Sequence, residues 1–199
     1  MRTLPLLLLC LWTLAGCAGN EIVGVSIVLQ DDGSAQVTTR SLATPAAASP
    51  AEGQLPAVTW SGRAALLCSQ GKLASIQDLK FRDDSLKVTG RAGADFPGLR
   101  VRVQRGPNAG WVKALVPDQA TRRALAGIYD PSGRTKEVGD VLRLEITAPR
   151  NIVGSSVEPG GRGITADRDG KRAFLLVPAQ TALEAGEDLT WDITWADAK

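Results

Sequence analysis

Three arginines near the middle of the chain have a spacing that could bind phosphate. Arg100 and Arg102 share one face of a predicted strand, and Arg105 follows shortly after. Guanidinium groups bind phosphate oxygens through paired hydrogen bonds, so this basic face, together with Arg122 and Arg123, could contact lipid phosphates. The alternative is an ordinary solvated strand face, which the net charge of only +2 favours.

The last predicted strand carries tryptophans on one face. Trp191, Ile193 and Trp195 alternate along the chain, which brings them together in an extended strand. Five tryptophans beside one tyrosine and three phenylalanines suggest an aromatic cradle for a ligand. The same alternation is typical of aromatic residues that close a core, and the strand period favours the core.

Residue types that most catalytic and metal sites need are missing. The chain has no histidine, the usual general base near neutral pH and the commonest metal ligand. The glycine-rich segment 158–163 lacks the Gly-Lys-Ser/Thr ending of a phosphate loop, and the acidic pairs are turn residues with too few oxygens for calcium. We expect no enzyme activity, metal or cofactor. An enzyme would need a Ser-Lys or carboxylate pair that no spacing singles out.

The N-terminus has the pattern of a secretory signal. One charge at Arg2 precedes the apolar run from Leu4 to Leu14, which is too short to span a membrane. Leu14-Ala15-Gly16-Cys17 then closely resembles the lipobox of bacterial lipoproteins. The resemblance implies a signal peptide over residues 1–16 and a lipid on the Cys17 sulfur. An ordinary signal peptide, cut after Ala15 or Ala18, is the alternative.

The tether between this lipid and the domain is short. Residues 17–21 form it, because Ile22 to Leu29 already alternates as a strand does. About four residues reach roughly 14 Å, so we expect the domain to sit against the surface of the cell membrane or outer membrane. If Cys17 carries the lipid, Cys68 has no intrachain partner, and we expect a small buried side chain there and not a reactive thiol.

The mature chain is nearly neutral. Removal of residues 1–16 takes away only Arg2 among the charged residues, so 22 basic residues remain against 21 acidic ones. No long run of either sign is present. We therefore expect no nucleic-acid partner.

Strand and turn signals predict a single α+β domain over residues 22–199. We predict a largely antiparallel sheet of about eight strands with two short helices. The predicted helices cover Thr59 to Ser69 and Asp118 to Ala126, the second framed by Pro117 and Gly127. Loops are predicted over residues 44–56 and 156–162, and a turn over 167–170. The predicted strands are 22–29, 35–42, 73–82, 85–91, 99–105, 141–148, 164–166, 172–177 and 189–195, the last ones forming a closing antiparallel meander.

Two parts of the chain resemble LppM-type bacterial envelope lipoproteins. One is the C-terminal third, with Asp140 to Pro149, a glycine loop, Asp167-Arg168-Asp169-Gly170 and Leu189 to Trp195. The other is the opening, with a lipobox directly before a strand and a turn at Asp32-Gly33-Ser34. The resemblance implies an α+β domain outside the cytoplasm, in a family sometimes linked to lipid or glycolipid handling. No functional residue carries over, because the shared positions are structural.

These patterns lead to two functional hypotheses. The first is a membrane-anchored, non-enzymatic binding or accessory domain that contacts envelope lipid, glycolipid or a neighbouring protein. The second is a structural or assembly lipoprotein that presents a protein-contact surface. A large apolar groove would favour the first hypothesis, and a flat exposed apolar patch would favour the second.

Overall fold

Two β-sheets bury the apolar residues of this chain between them. The structure is a computed structural model, and it describes residues 23–44, 54–60, 62–81, 83–90 and 97–197. The larger sheet has seven strands. In spatial order they are β3 (Gln54–Trp60), β4 (Ala64–Leu73), β2 (Ala35–Ala43), β1 (Gly24–Leu29), β7 (Val141–Thr147), β10 (Arg172–Pro178) and β9 (Thr165–Asp169).

The smaller sheet has four strands and lies against the apolar face of the first. Its spatial order is β5 (Leu86–Gly90), β6 (Gly98–Val103), β11 (Leu189–Trp195) and β8 (Ile152–Glu158). Three short α-helices accompany the sheets: α1 (Gly110–Leu115), α2 (Gln119–Ala126) and α3 (Ala179–Leu183). Two 3-10 turns cover Ile76–Asp78 and Arg134–Glu137.

Alternation along the strands builds one core. On β7, β10 and β11 every second side chain is buried, and together with the buried residues of β1 and β6 they form a single hydrophobic cluster. Cross-strand pairing is antiparallel except between β1 and β7. The expected α+β domain with largely antiparallel pairing is confirmed, while the expected single sheet of about eight strands is wrong because the strands divide between two sheets.

The predicted helix over Thr59 to Ser69 is wrong. That segment holds the end of β3, a turn at Gly62 and the start of β4, which pairs with β2 from Ala65 to Leu73. Gly62 has φ of +66°, which a glycine adopts at no steric cost in a tight turn. Pairing with β2, which is distant in sequence, therefore sets the conformation of this segment. The helical spacing of its apolar residues gives no information about that pairing.

Three other boundaries differ from the prediction. The strand expected over residues 73–82 is wrong. Strand β4 ends at Leu73, where that strand should begin, and Ser75 then caps the 3-10 turn at Ile76–Asp78, with its Oγ accepting from the amide of Gln77. The loop expected from Ser156 begins only after Glu158, at the end of β8. The expected turn over residues 167–170 is mostly strand, since β9 continues to Asp169.

The expected closing meander is also wrong in its connections. Strands β8 and β11 belong to the smaller sheet, whereas β9 and β10 belong to the larger one. The chain therefore crosses between sheets twice over this stretch. Helices α1 and α3 were not expected from the sequence, because each has only six or five residues and so shows little periodicity.

Several other predictions are confirmed. Strands β1 and β2 form the first hairpin, with Leu29 opposite Ala35. Leu99, Val101 and Val103 are buried on one face of β6, and Arg100 and Arg102 are exposed on the other. Helix α2 begins after Asp118, whose carboxylate accepts from the Thr121 amide at 2.7 Å.

The predicted leader, the tether and Cys17 lie outside the described residues. Residues 45–53 of the loop expected over 44–56 lie outside them as well. The last three residues of that loop, 54–56, belong to β3. Cys68 is half-buried on β4 and packs at the margin of the core.

Candidate functional site

An open groove of about 700 Å³ lies at one end of the two sheets. It lies where β1, β5 and β11 end and β6 begins, beside the connection from β7 to β8. This volume is within the range of about 300 to 1,000 Å³ that small-molecule sites occupy. The groove therefore has the size of a ligand site, formed by segments far apart in the sequence.

The floor of the groove is apolar. Leu29, Ile76, Leu99 and Trp195 line it, and each is at most 8% exposed. Leu99 faces Ile193 across the β6–β11 ladder, which fixes its direction. The amide of Trp195 donates to the Pro97 carbonyl at 3.0 Å, which holds the end of β11 against the start of β6.

The 3-10 turn at Ile76–Asp78 forms one wall of the groove. The amide of Ile76 donates to the Gly33 carbonyl at 3.0 Å and so attaches this turn to the β1–β2 turn. Gly33 itself has φ of +82°, which a side chain would strain. Ile76 thereby lines the groove together with Leu29, and the exposed Gln77 lies at the rim.

The rim is polar and carries one ion pair. Gln30, Gln77 and Thr89 contribute neutral polar groups. Arg150 Nη2 lies 3.4 Å from Asp31 Oδ1, with the side chains 39% and 76% exposed. An apolar floor below a rim with both neutral and charged groups is suited to a ligand that has one apolar and one polar end.

The predicted site residues are divided between different surroundings. Trp195 lines the groove, whereas Trp191 is completely buried in the core, where its Nε1 donates to Ser155 Oγ at 3.0 Å. Ile193 is also completely buried. Trp191 therefore supplies core packing and presents no surface to a ligand in this fold.

Arg100 and Arg102 lie on the outer face of the smaller sheet and pair with acidic side chains, and Arg105 follows the end of β6. Arg100 forms a bidentate pair with Asp192, with both contacts at 2.8 Å, and this bond raises the pKa of Arg100 above its ordinary value. Arg102 pairs with Asp188, and Arg105 donates to the Glu187 carbonyl.

None of Arg100, Arg102 and Arg105 lines the groove, although Thr89 at its rim faces Arg100 across the β5–β6 ladder. Arg122 and Arg123 lie on α2 and not on this sheet, and Arg122 Nη1 bonds Asp140 at 2.7 Å beside a smaller cavity of about 400 Å³. The five arginines therefore do not form one continuous phosphate site.

Sequence reasoning missed most of the groove residues. Asp31 and Arg150 stand in segments that look like ordinary turns, and Leu29 and Leu99 look like ordinary strand residues. The only usable signal was that turn residues cluster at sheet ends. Nothing local indicates that these particular turns meet.

The carboxyl groups whose pKa the described structure perturbs serve turns and a helix start. Hydrogen bonds from following residues lower the pKa of Asp32, Asp83, Asp118 and Asp130. Groups of three or more potential metal ligands do not occur within the described ranges. Within those ranges, no helix is long and apolar enough to cross a membrane.

Comparison with known proteins gives little. Neither a family model nor a curated protein matches the chain. Among solved structures, the NMR structure of the folded domain of Mycobacterium tuberculosis LppM is similar over 92% of this chain and 95% of that one, at 10% identity and a TM-score of 0.39. This likeness is too weak to assign the chain to a family.

Proposed function

We propose that the chain is a lipid-anchored envelope protein whose domain binds an amphipathic lipid or glycolipid in the groove, without catalysing a reaction. The observation that carries the proposal is the groove itself, with Leu29, Ile76, Leu99 and Trp195 below a polar rim. An apolar floor removes an acyl chain from water, and polar groups at the opening can keep contact with a headgroup.

The lipobox-like segment supplies the second support. A lipidated Cys17 would hold the domain within reach of bilayer lipids, since two or more acyl chains give stable anchoring. The ligand would then be present at high local concentration, so modest affinity would suffice for occupancy. The sequence and the groove thus support the same class of ligand from independent observations.

The position of the groove suits a carrier more than a passive contact. The described chain enters β1 at its tether end, and the groove lies at the opposite end, next to Leu29. Six strand residues at about 3.3 Å each separate the two ends by roughly 20 Å. A lipid in the groove would therefore be held away from the point where the anchor joins the domain.

The alternative is a structural or assembly lipoprotein. It would be favoured by a continuous apolar surface patch. The exposed large apolar side chains of the described residues are Val28 on β1, Val153 on β8 and Tyr129 in the connection after α2. Isolated apolar side chains of this kind are normal on a soluble surface and do not favour that alternative.

The test is photo-crosslinking in living cells with the full-length chain. p-Benzoylphenylalanine replaces Gln77, which is exposed at the rim of the groove. After irradiation, the mass of the peptide that carries the probe identifies what was bound. We expect adducts with the mass of membrane lipids or their acyl chains.

Tyr129 provides the matched control, because it is 90% exposed and does not line the groove. The same probe at Tyr129 should give few lipid adducts, since the replaced residue is already aromatic and faces solvent. Equal lipid labelling at both positions, or labelling of Gln77 by protein alone, would contradict lipid binding in the groove. Labelling by protein alone would support the assembly hypothesis.

A further inference from the structure

The ion pair at the rim of the groove has bonding capacity left at both of its ends. Arg150 Nη2 lies 3.4 Å from Asp31 Oδ1, whereas the other arginine–carboxylate contacts of the described residues are no longer than 2.9 Å. A guanidinium has five N–H donors, and a carboxylate has about four acceptor sites. The long contact uses one of each, so either charge can take a second partner while the pair stays in place.

The rim presents one positive and one negative pole side by side. Of the described residues that line the groove, only Arg150 and Asp31 carry charge, and their side chains are 39% and 76% exposed. Asp32, next to Asp31 in the sequence, adds a second carboxylate on the negative side, and its Oδ1 accepts from the Ser34 amide at 2.9 Å. A ligand that matches this rim therefore needs an anion for the arginine and a cation for the aspartate.

We infer that the groove selects a zwitterionic phospholipid whose headgroup ends in a primary ammonium, as in phosphatidylethanolamine. The inference rests on the proposed function, since it names the ligand class of the same groove. The phosphate accepts hydrogen bonds from Arg150, and the ammonium donates to Asp31, so the headgroup dipole lies antiparallel to the ion pair. Both charges of the protein then have a partner in the ligand, and binding adds no net charge to the rim.

Two other common headgroups lack part of this match. Choline carries the same charge, but its quaternary nitrogen has no N–H and cannot donate a hydrogen bond to Asp31. A glycerol headgroup carries no cation, so its phosphate brings a net negative charge next to Asp31 and Asp32, which repel it. The neutral rim groups of Gln30, Gln77 and Thr89 can hydrogen-bond to the phosphate that all three lipids share. The difference between the three lipids therefore arises at Asp31.

The experiment uses the full-length protein reconstituted in nanodiscs, with p-benzoylphenylalanine at Gln77. Dioctanoyl phospholipids with ethanolamine, choline and glycerol headgroups are added at equal concentrations, and the three adducts are counted by mass spectrometry. The same probe at Tyr129 corrects for the lipid composition around the protein. We expect the ethanolamine lipid to be enriched about twofold to fivefold over each of the other two, the range for one exposed ion pair.

Two variants separate the roles of the two poles. D31N removes the partner of the ammonium, so the preference for ethanolamine over choline should disappear and the glycerol lipid should gain relative to both. R150Q removes the partner of the phosphate, so the total of adducts should fall while the preference for ethanolamine over choline remains. D169N is the matched control, because Asp169 is also paired with an arginine, is 70% exposed and lies outside the groove. Its loss should leave the ratios unchanged.

The possible failures are distinguishable. Adducts in the ratio of the mixture, or a preference for the glycerol lipid, would overturn the selection while leaving lipid binding in place. Equal effects of D31N and D169N would overturn it as well, since general surface charge would then explain the ratio. Absence of adducts above the Tyr129 level would overturn the proposed function itself.

A last arm separates the lipid from its headgroup alone. Free phosphoethanolamine at the same concentration should leave the adducts unchanged, because it has no acyl chain for the apolar floor of the groove. Loss of half of the adducts in its presence would overturn a lipid as the ligand, since the chains would then contribute nothing to binding.

Discussion

Replacement of Gly98 by alanine should destabilise the domain through a backbone clash at the edge of the groove. A Cβ atom on Gly98 would lie 2.4 Å from the carbonyl oxygen of Ile193 and 3.1 Å from Thr194 Cγ2. Ordinary contact begins about 1 Å beyond the first of these distances. Because the oxygen belongs to the paired strand, it cannot turn aside as a side chain would, so β6 and β11 must separate there.

The magnitude follows from two opposing effects. Overpacking of this kind costs about 1 to 3 kcal/mol, and each weakened ladder hydrogen bond adds about 0.5 to 1.5 kcal/mol. The lower entropy of alanine in the unfolded chain returns about 0.4 to 1 kcal/mol. We therefore expect a loss of about 1 to 3 kcal/mol in the free energy of unfolding.

Urea unfolding measures this loss, followed by tryptophan fluorescence in a Cys17→Ala background that removes the lipid. With a slope near 2 kcal/mol per molar urea, the midpoint should fall by roughly 0.5 to 1.5 M. Gly71→Ala is the control, since that glycine is exposed on β4 and its Cβ would meet nothing within 4 Å. A Gly98→Ala chain as stable as Gly71→Ala would refute the close approach of β6 and β11.

Three further substitutions test other parts of the fold. Asp130→Asn should lower the urea midpoint at pH 7. The hydrogen bonds of the turn hold the pKa of Asp130 far below its ordinary value of 3.8, so their stabilisation is present above that value and is lost in acid. The difference between the variant and the unmodified chain should therefore shrink as pH falls below about 4. An unchanged difference between pH 6 and pH 3 would contradict this. Asp118→Ala removes the N-terminal cap of α2 and should cost about 1 kcal/mol of unfolding free energy, measured in the same way; no change would mean that the cap contributes nothing. Trp191→Phe leaves the Ser155 hydroxyl without its buried partner and should cost about 1 to 3 kcal/mol, whereas an unchanged midpoint would show that this hydrogen bond does not stabilise the core.

Much of the fold could be predicted from local pattern. Period-two alternation located β6 and β11 closely, and capping chemistry located α2, because a half-buried strand and a capped helix are encoded within a few neighbouring residues. Thr59 to Ser69 shows where this fails. Its apolar residues fit a helix about as well as a strand, and pairing with β2 decides between the two.

The candidate site was harder to predict than the fold. Trp195 was identified because it is an aromatic residue on an alternating strand, and that same rule also selected Trp191, which is buried in the core. The difference lies in the position along β11: Trp195 is at its end, where the sheet opens, and Trp191 is in its middle. Arg150 and Asp31 are 119 residues apart, and only the folded chain brings them to one rim.

The account depends most directly on lipid at Cys17, because the argument for a membrane ligand assumes a domain held at the bilayer. Intact and tryptic mass spectrometry of the membrane fraction, with a Cys17→Ala chain alongside, tests it. We predict an N-terminal peptide that begins at Cys17 and carries added acyl mass, and loss of this peptide in the Cys17→Ala chain. An N-terminus at another residue, without lipid and with the protein in the soluble fraction, would contradict the account.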